Sequence, residues 1–235
     1  MRKRYIILAV LGGVAALFSQ LPLKWVAPSM LPDPLRQSVQ YSGTVWNGQL
    51  AGLDYVGHIN FKLSPKAFVT GGLPLSFTTQ SPAMSVSGQA SQTQFKDIRF
   101  DGILAKLPTR DGRLKELAGQ VIIRIAEMQI TEGGCTSASG KITTDFLALN
   151  QARWQWRGPE LSGPISCEGG DMIVALSGSE NRQTVRANLR LSPNGSYAAN
   201  ISVQTPQPEA GVVLPLYGFE QQGREYKLTE QGQWR

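Results

Sequence analysis

The sequence predicts a mainly β protein: one N-terminal membrane helix, then a curved, largely antiparallel sheet, or a sandwich, outside the cytoplasm. Three observations predict it. A basic tail precedes a long uncharged apolar run at the start of the chain. Beyond Tyr41 the apolar residues recur at every second position, the period of a strand with one face buried. Only 17% of residues are charged, while Gly reaches 25, a texture of extracytoplasmic sheet rather than cytosolic helix.

The first element is the membrane helix. Arg2, Lys3 and Arg4 stand before Tyr5, and no charge follows until Lys24. Residues 5–23 would span about 28 Å at 1.5 Å per helical residue, enough for a hydrocarbon core of about 30 Å. Cations before the span and none at its far end orient the N-terminus to the cytoplasm. Lys24 and Trp25 suit the far interface, where an ammonium can snorkel and an indole can straddle headgroups. A cleaved signal peptide would look similar, but Ala16-Leu17-Phe18 and Leu17-Phe18-Ser19 lack a small-x-small cleavage pattern, which favours an uncleaved anchor. The expected organisation is a cytoplasmic tail (1–4), a membrane helix (5–23), a Pro-rich stalk (24–40) and a periplasmic β domain (41–235). In the stalk, Pro28, Pro32 and Pro34 argue against helix, apart from one turn over residues 35–39.

The strands come next. Tyr55, Gly57, Ile59, Phe61 and Leu63 alternate against Val56, His58, Asn60 and Lys62. Val185, Ala187, Leu189 and Leu191 alternate in the same way, as do Tyr197, Ala199, Ile201 and Val203. Ser192-Pro193-Asn194-Gly195 joins the last two runs as a hairpin turn. From Val121, Ile123 and Ile125 to Met128 and Ile130 the apolar parity slips by one, which predicts a β-bulge. Further strands are expected over 43–53, 73–79, 83–90, 94–104, 137–146, 151–157, 170–178 and 215–230. Asn47-Gly48, Asp101-Gly102, Asp111-Gly112 and Gly169-Gly170 punctuate them. One-faced strands belong to antiparallel sheets, either packed as a sandwich or curved about the apolar face.

Charge and motifs exclude several functions. The net charge is +6, but half of it lies in the first four residues and no basic cluster follows, so no nucleic-acid partner is expected. One His, His58, and two cysteines offer no ordinary zinc set, and no metal or cofactor is expected. Gly140-Lys141 lacks the remainder of a phosphate-binding loop. Asp97 with Asp101, and Glu127 with Glu132, could be drawn as acid–base pairs, yet nothing separates them from surface carboxylates. No catalytic residue is assigned. Cys135 and Cys167 are the only cysteines, so a single disulfide is the only intramolecular pairing, with two free buried thiols as the alternative. Closing that loop would stabilise by about 3–4 kcal/mol in the chain-entropy account. Trp154 and Trp156 share one face of the expected 151–157 strand, opposite Arg153, Gln155 and Arg157. This is either an aromatic interaction surface or, more simply, a pair of core residues.

Several strings occur in a telling order: Gly43-Thr44-Val45-Trp46-Asn47-Gly48, Gly133-Gly134-Cys135-Thr136-Ser137-Ala138-Ser139-Gly140, Trp154-Gln155-Trp156, and Gly158-Pro159-Glu160-Leu161-Ser162-Gly163 before Cys167. Pro193-Asn194-Gly195-Ser196-Tyr197, Gly218-Phe219 and Gly232-Gln233-Trp234 follow. Together with the anchor they resemble protein N of the bacterial type II secretion system, over essentially the whole chain. The resemblance implies a non-enzymatic accessory component at the inner membrane, in the machine that exports folded proteins from the periplasm. Its implied partners are other platform subunits and the outer-membrane secretin. The Gly-Thr-Val-Trp-Asn-Gly string is also similar to the opening of AsmA-type periplasmic proteins. That likeness implies a curved sheet with an apolar groove and keeps a lipid-handling scaffold as the alternative.

Overall fold

The computed structural model describes residues 20–30, 39–53, 56–107 and 116–233. The strands are β1 (Gln40–Gly43), β2 (Asn47–Leu53), β3 (Gly57–Leu63), β4 (Leu75–Gln80), β5 (Met84–Ala90), β6 (Gln94–Ile103) and β7 (Gln120–Thr131). They continue as β8 (Gly134–Thr144), β9 (Leu161–Glu168), β10 (Asp171–Glu180), β11 (Gln183–Leu191), β12 (Ser196–Gln204), β13 (Glu220–Gln222) and β14 (Glu225–Gln233). All belong to one hydrogen-bonded sheet in the order β1 to β12, then β14 and β13. Each named pairing is antiparallel, so the sheet is a meander rather than two sheets in a sandwich.

Alternation along each strand and register between strands act together. Because successive side chains point to opposite faces, pairing one apolar residue with the next sorts the whole sheet. Tyr41 lies opposite Leu50, Leu50 opposite Ile59, Ile59 opposite Thr79, and Thr79 opposite Val86. The row continues through Phe100, Ile123, Ile142 and Gly163, and then Leu176, Ala187, Ile201 and Leu228. From β1 to β14 this apolar row covers about 60 Å at the ~4.8 Å spacing between strands. Apart from buried Thr79, its members are only partly buried. In the middle of the face, Ile125, Met128, Cys135, Ile165 and Val174 form a cluster whose described neighbours all come from β6–β11 of this same sheet. No described helix covers that cluster.

The predicted parity slip is a bulge. Ile125 pairs with Gly140 and Glu127 with Ser139, which leaves Ala126 extra on β7. Asp97 on β6, at φ +52, is its counterpart: Ser87 pairs with Arg99 and Gln89 with Lys96, so Gly88 faces two residues. A Cβ on Gly88 would stand 2.2 Å from Ile98 Cδ1. Extra residues on neighbouring strands increase local twist and bend the sheet.

Other boundaries differ from the sequence reading. Residues 43–53 are not one strand: Thr44–Asn47 turn between β1 and β2, with Thr44 N donating to Asn47 O at 2.9 Å. Asp101-Gly102 is strand interior rather than a turn. The expected 151–157 strand is instead a helical turn over 151–154 followed by irregular backbone, as described below. The 215–230 segment is the end of a helix followed by the β13–β14 hairpin. β9 was not expected because Gly163-Pro164 breaks its pattern. Its missing N–H falls where the β9–β10 ladder lapses, between the pairs Val174–Ile165 and Ser177–Ser162, a place where Pro does little harm.

The Pro-rich stalk also needs correction. Helix α1 (Leu23–Met30) runs through Pro28, past the first-turn positions where Pro costs nothing. Tertiary packing holds it: Leu23 and Ala27 are buried, and Leu23 lies over Gly48 beside Phe61. Just before it, Pro22 bridges to Thr44 and Val45 N donates to Leu21 O at 3.0 Å. The last residues of the expected 5–23 span therefore lie against the β1–β2 turn. The rest of that span, with Arg2, Lys3 and Arg4, lies outside the described residues. Among the described residues no helix is long and apolar enough to cross a membrane. Lys24 and Trp25 are both exposed on α1, the indole at 70%.

Candidate functional site

One end of the sheet is roofed. Helix α2 (Pro65–Thr70) links β3 to β4 at the opposite end. The roof comes from the β8–β9 connection, with α3 (Phe146–Leu149) and α4 (Gln151–Trp154), and from α5 (Ala210–Leu216) after β12. Asn150 fixes the first two. Its buried amide donates to Ala118 O at 2.7 Å and Phe146 O at 2.6 Å, and its Oδ1 accepts from Ala118 N at 2.9 Å. Three backbone groups that a loop would otherwise leave unpaired are thereby satisfied.

Trp154 and Trp156 sit side by side in this roof, their ring centroids 6.4 Å apart. Trp154 ends α4, and Gln155 then takes a left-handed conformation at φ +53. The two indoles thus share a direction for a reason other than strand alternation. Both are buried, to 7% and 2% exposure. Each N–H is satisfied: Trp154 Nε1 donates to Tyr217 Oη at 3.0 Å, and Trp156 Nε1 to Gln183 Oε1 at 3.0 Å. Gln183 in turn donates to Arg157 O at 2.6 Å. With their polar edges paired, the rings present apolar surface inward.

Between roof and sheet lies a cavity of about 410 Å³. Its wall includes Trp154, Trp156, Val185, Ile201, Leu214 and Leu228. Burial falls along the strands away from the roof. Val185 and Val203 are almost inaccessible at 1% and 2%, Ala187, Ile201 and Leu228 are partly buried, and Glu230 is exposed. The register puts those residues in successive rows, so the cavity opens along the apolar face. Glu230 stands in its lining and accepts a hydrogen bond from Tyr197 Oη at 3.0 Å. That bond raises the Tyr197 pKa above its usual value. On the outside of the roof, Arg153 pairs with Glu116, and the hydrogen bonds to Glu116 and then Tyr217 raise its pKa.

Cys135 and Cys167 are joined in a disulfide, with Cα atoms 5.4 Å apart. Gln129 pairs with Ser137 but Ile130 with Cys135, which leaves Thr136 extra on β8. Toward the disulfide the regular β8–β9 ladder already ends at Gly140–Ile165, and beyond it comes the isolated bridge Cys135–Gly170. The disulfide ties the strands where their hydrogen bonds thin out.

The imagined acid–base pairs go elsewhere. Asp101 accepts from Arg124 at 2.7 Å, Glu127 lies 3.4 Å from Lys96, and Asp97 and Glu132 are exposed. His58 is exposed on β3. Among the described residues no three His, Cys, Asp or Glu side chains gather where a metal could be held. Sequence reasoning missed the cavity. Its one available signal was the apolar run Ala210-Gly211-Val212-Val213-Leu214 after β12, which belongs to a helix laid over the sheet.

An open antiparallel meander with one apolar face and a roofed cavity defines a β-sheet domain built around that face. Residues 37–229 match the family of type II secretion system (T2SS) protein N, and the chain belongs to that family. It is accordingly a type II secretion component. No curated protein and no solved structure matches it.

Proposed function

We propose that the chain is a non-enzymatic accessory subunit of the type II secretion apparatus, held at the bacterial inner membrane by the uncharged run that follows Arg4. Its N-terminus faces the cytoplasm and its sheet domain the periplasm. The observation that carries the reading is the family match across most of the sheet domain. The basic tail and uncharged run support the topology. Its partners are other subunits of the secretion platform and the periplasmic part of the secretin. Crosslinking in membranes of the source cell, followed by purification of this chain, tests it. Recovery of platform subunits or the secretin is expected, and repeated capture of none of them overturns the proposal.

A second reading has its own support. The apolar row across the sheet is a continuous, partly exposed surface, which suits a periplasmic scaffold that handles lipid. The purified full-length chain would then carry lipid in native mass spectra. A lipid-free chain that also fails to take up lipid from vesicles would rule this out.

A further inference from the structure

The geometry points to the roofed cavity as the seat of a single unbranched acyl chain, carried by a membrane phospholipid with an ammonium-bearing head group. The inference rests on the lipid-handling reading of the apolar face, and it assigns that reading a place and a ligand class.

Size comes first. A dry cavity of about 150 Å³ takes up benzene. In proportion, about 410 Å³ has room for about sixteen carbons. Ligand cavities of this kind begin at about 300 Å³, so the space is large for a packing defect.

Chemistry comes next. Trp156, Val185, Val203 and Leu214 form the closed end and are buried. Backbone groups of β11, β12 and β14 there are engaged in ladder pairing. The N–H groups of the two indoles are engaged with Tyr217 and Gln183. A peptide in this slot would leave its amides unpaired, at about 1–3 kcal/mol each. A hydrocarbon chain asks for no partner and exchanges water contact for the wall.

Charge at the mouth selects the head. Ala199 pairs with Glu230 and Tyr197 with Gly232, so the phenol–carboxylate pair lies where the cavity gives way to the open face. A free fatty acid would bring a second carboxylate toward Glu230, and like charges a few ångströms apart repel. An ethanolamine head is net neutral: its phosphate can stay in solvent while its ammonium turns toward the carboxylate. From Leu176 in the cavity wall the apolar row leads on to Ile142 and Ile123 outside it and offers the second chain a surface.

The test uses the full-length chain mixed with phosphatidylethanolamine vesicles doped with an analogue whose acyl terminus carries a diazirine. After irradiation, adducts are mapped by mass spectrometry. Adducts are expected within 154–161, 185–189, 199–203 and 213–219. Ala187→Trp, which puts an indole into the cavity, should cut those adducts at least fivefold and leave adducts over 59–123 in place. Where Ala187→Trp loses its cooperative unfolding transition, Ala199→Phe takes its place. Palmitate bearing the same diazirine should label the cavity several-fold less than the phospholipid, and Glu230→Lys should reverse that order. Adducts confined to 59–123, or cavity adducts untouched by both filling variants, overturn the cavity assignment and leave the apolar-face reading standing. Equal labelling by palmitate overturns the choice of phospholipid. No adduct anywhere on the apolar face overturns both readings together.

Discussion

The indole Nε1 of Trp156 donates to Gln183 Oε1 at 3.0 Å, and the same glutamine passes a hydrogen bond from its Nε2 to Arg157 O at 2.6 Å. Gln183 opens β11 and is buried to 1% exposure, so one side chain anchors the residue lining the cavity and the backbone just past it. Gln183→Leu keeps the approximate volume and removes both bonds. A buried indole N–H and a carbonyl are left without partners, at about 1–3 kcal/mol each. We expect a loss of about 2–6 kcal/mol of stability, measured as a lower denaturation midpoint with an unchanged slope. An unchanged midpoint would show that the glutamine does not hold the roof.

Legibility in the sequence followed local regularity. The run over β11 alternates cleanly, that over β12 does so but for Ala198, and the two are joined by a turn whose Gly195 adopts φ +89, so local pattern and pairing agree. The β7 bulge was visible because an extra residue shifts every apolar position after it. Arg153-Trp154-Gln155-Trp156-Arg157 alternates just as well, yet it ends a helix: a left-handed Gln155 points two aromatics the same way as a strand would. Period two over five residues does not distinguish the cases. Whether one-faced strands close on a second sheet or stay as one was also illegible. It depends on register carried from β1 to β14, which no single strand contains. Nor was the cavity legible, because α5 reaches it only through the long β12–β14 connection.

Cys135 and Cys167 hold β8 and β9 together past the Thr136 bulge. Cys135→Ser/Cys167→Ser should lower stability by about 3–4 kcal/mol through the freed loop. The wild-type chain, unfolded without reductant, should take up no thiol label, and with reductant it should take up label at both cysteines. Labelling of both without reductant would show that the pair is not joined in the native protein.

Gly163 lies tight against the β10 backbone. A Cβ there would lie 1.7 Å from Ala175 O, a contact that only backbone movement relieves. Gly163→Ala should therefore destabilise by about 1–3 kcal/mol, the usual range for overpacking, by forcing apart strands whose ladder already lapses at Pro164. Gly169→Ala serves as a contrast. Its φ is +61 but nothing lies within 4 Å of the added carbon, so it should cost only about 1 kcal/mol of backbone strain. Thermal denaturation of both variants checks the order, and equal effects would refute the close approach.

The Tyr197–Glu230 pair gives the cavity mouth a titration signature. The carboxylate accepts a hydrogen bond from the phenolic O–H, which favours the protonated phenol and raises its pKa above the usual value of 10.0. A group whose folded pKa is raised adds stability that is complete below its unfolded pKa and is lost as pH climbs through the folded value. The contribution is therefore present at neutral pH and disappears in the alkaline range above pH 10. Glu230→Gln keeps an acceptor but removes the charge, so the phenol should ionise at lower pH than in the wild type. Ultraviolet titration of phenolate absorbance, with Tyr197→Phe subtracted to isolate this one tyrosine, measures the difference. A Tyr197 curve that does not move in Glu230→Gln would mean the carboxylate does not hold the phenol, and the mouth would lose its anchored charge.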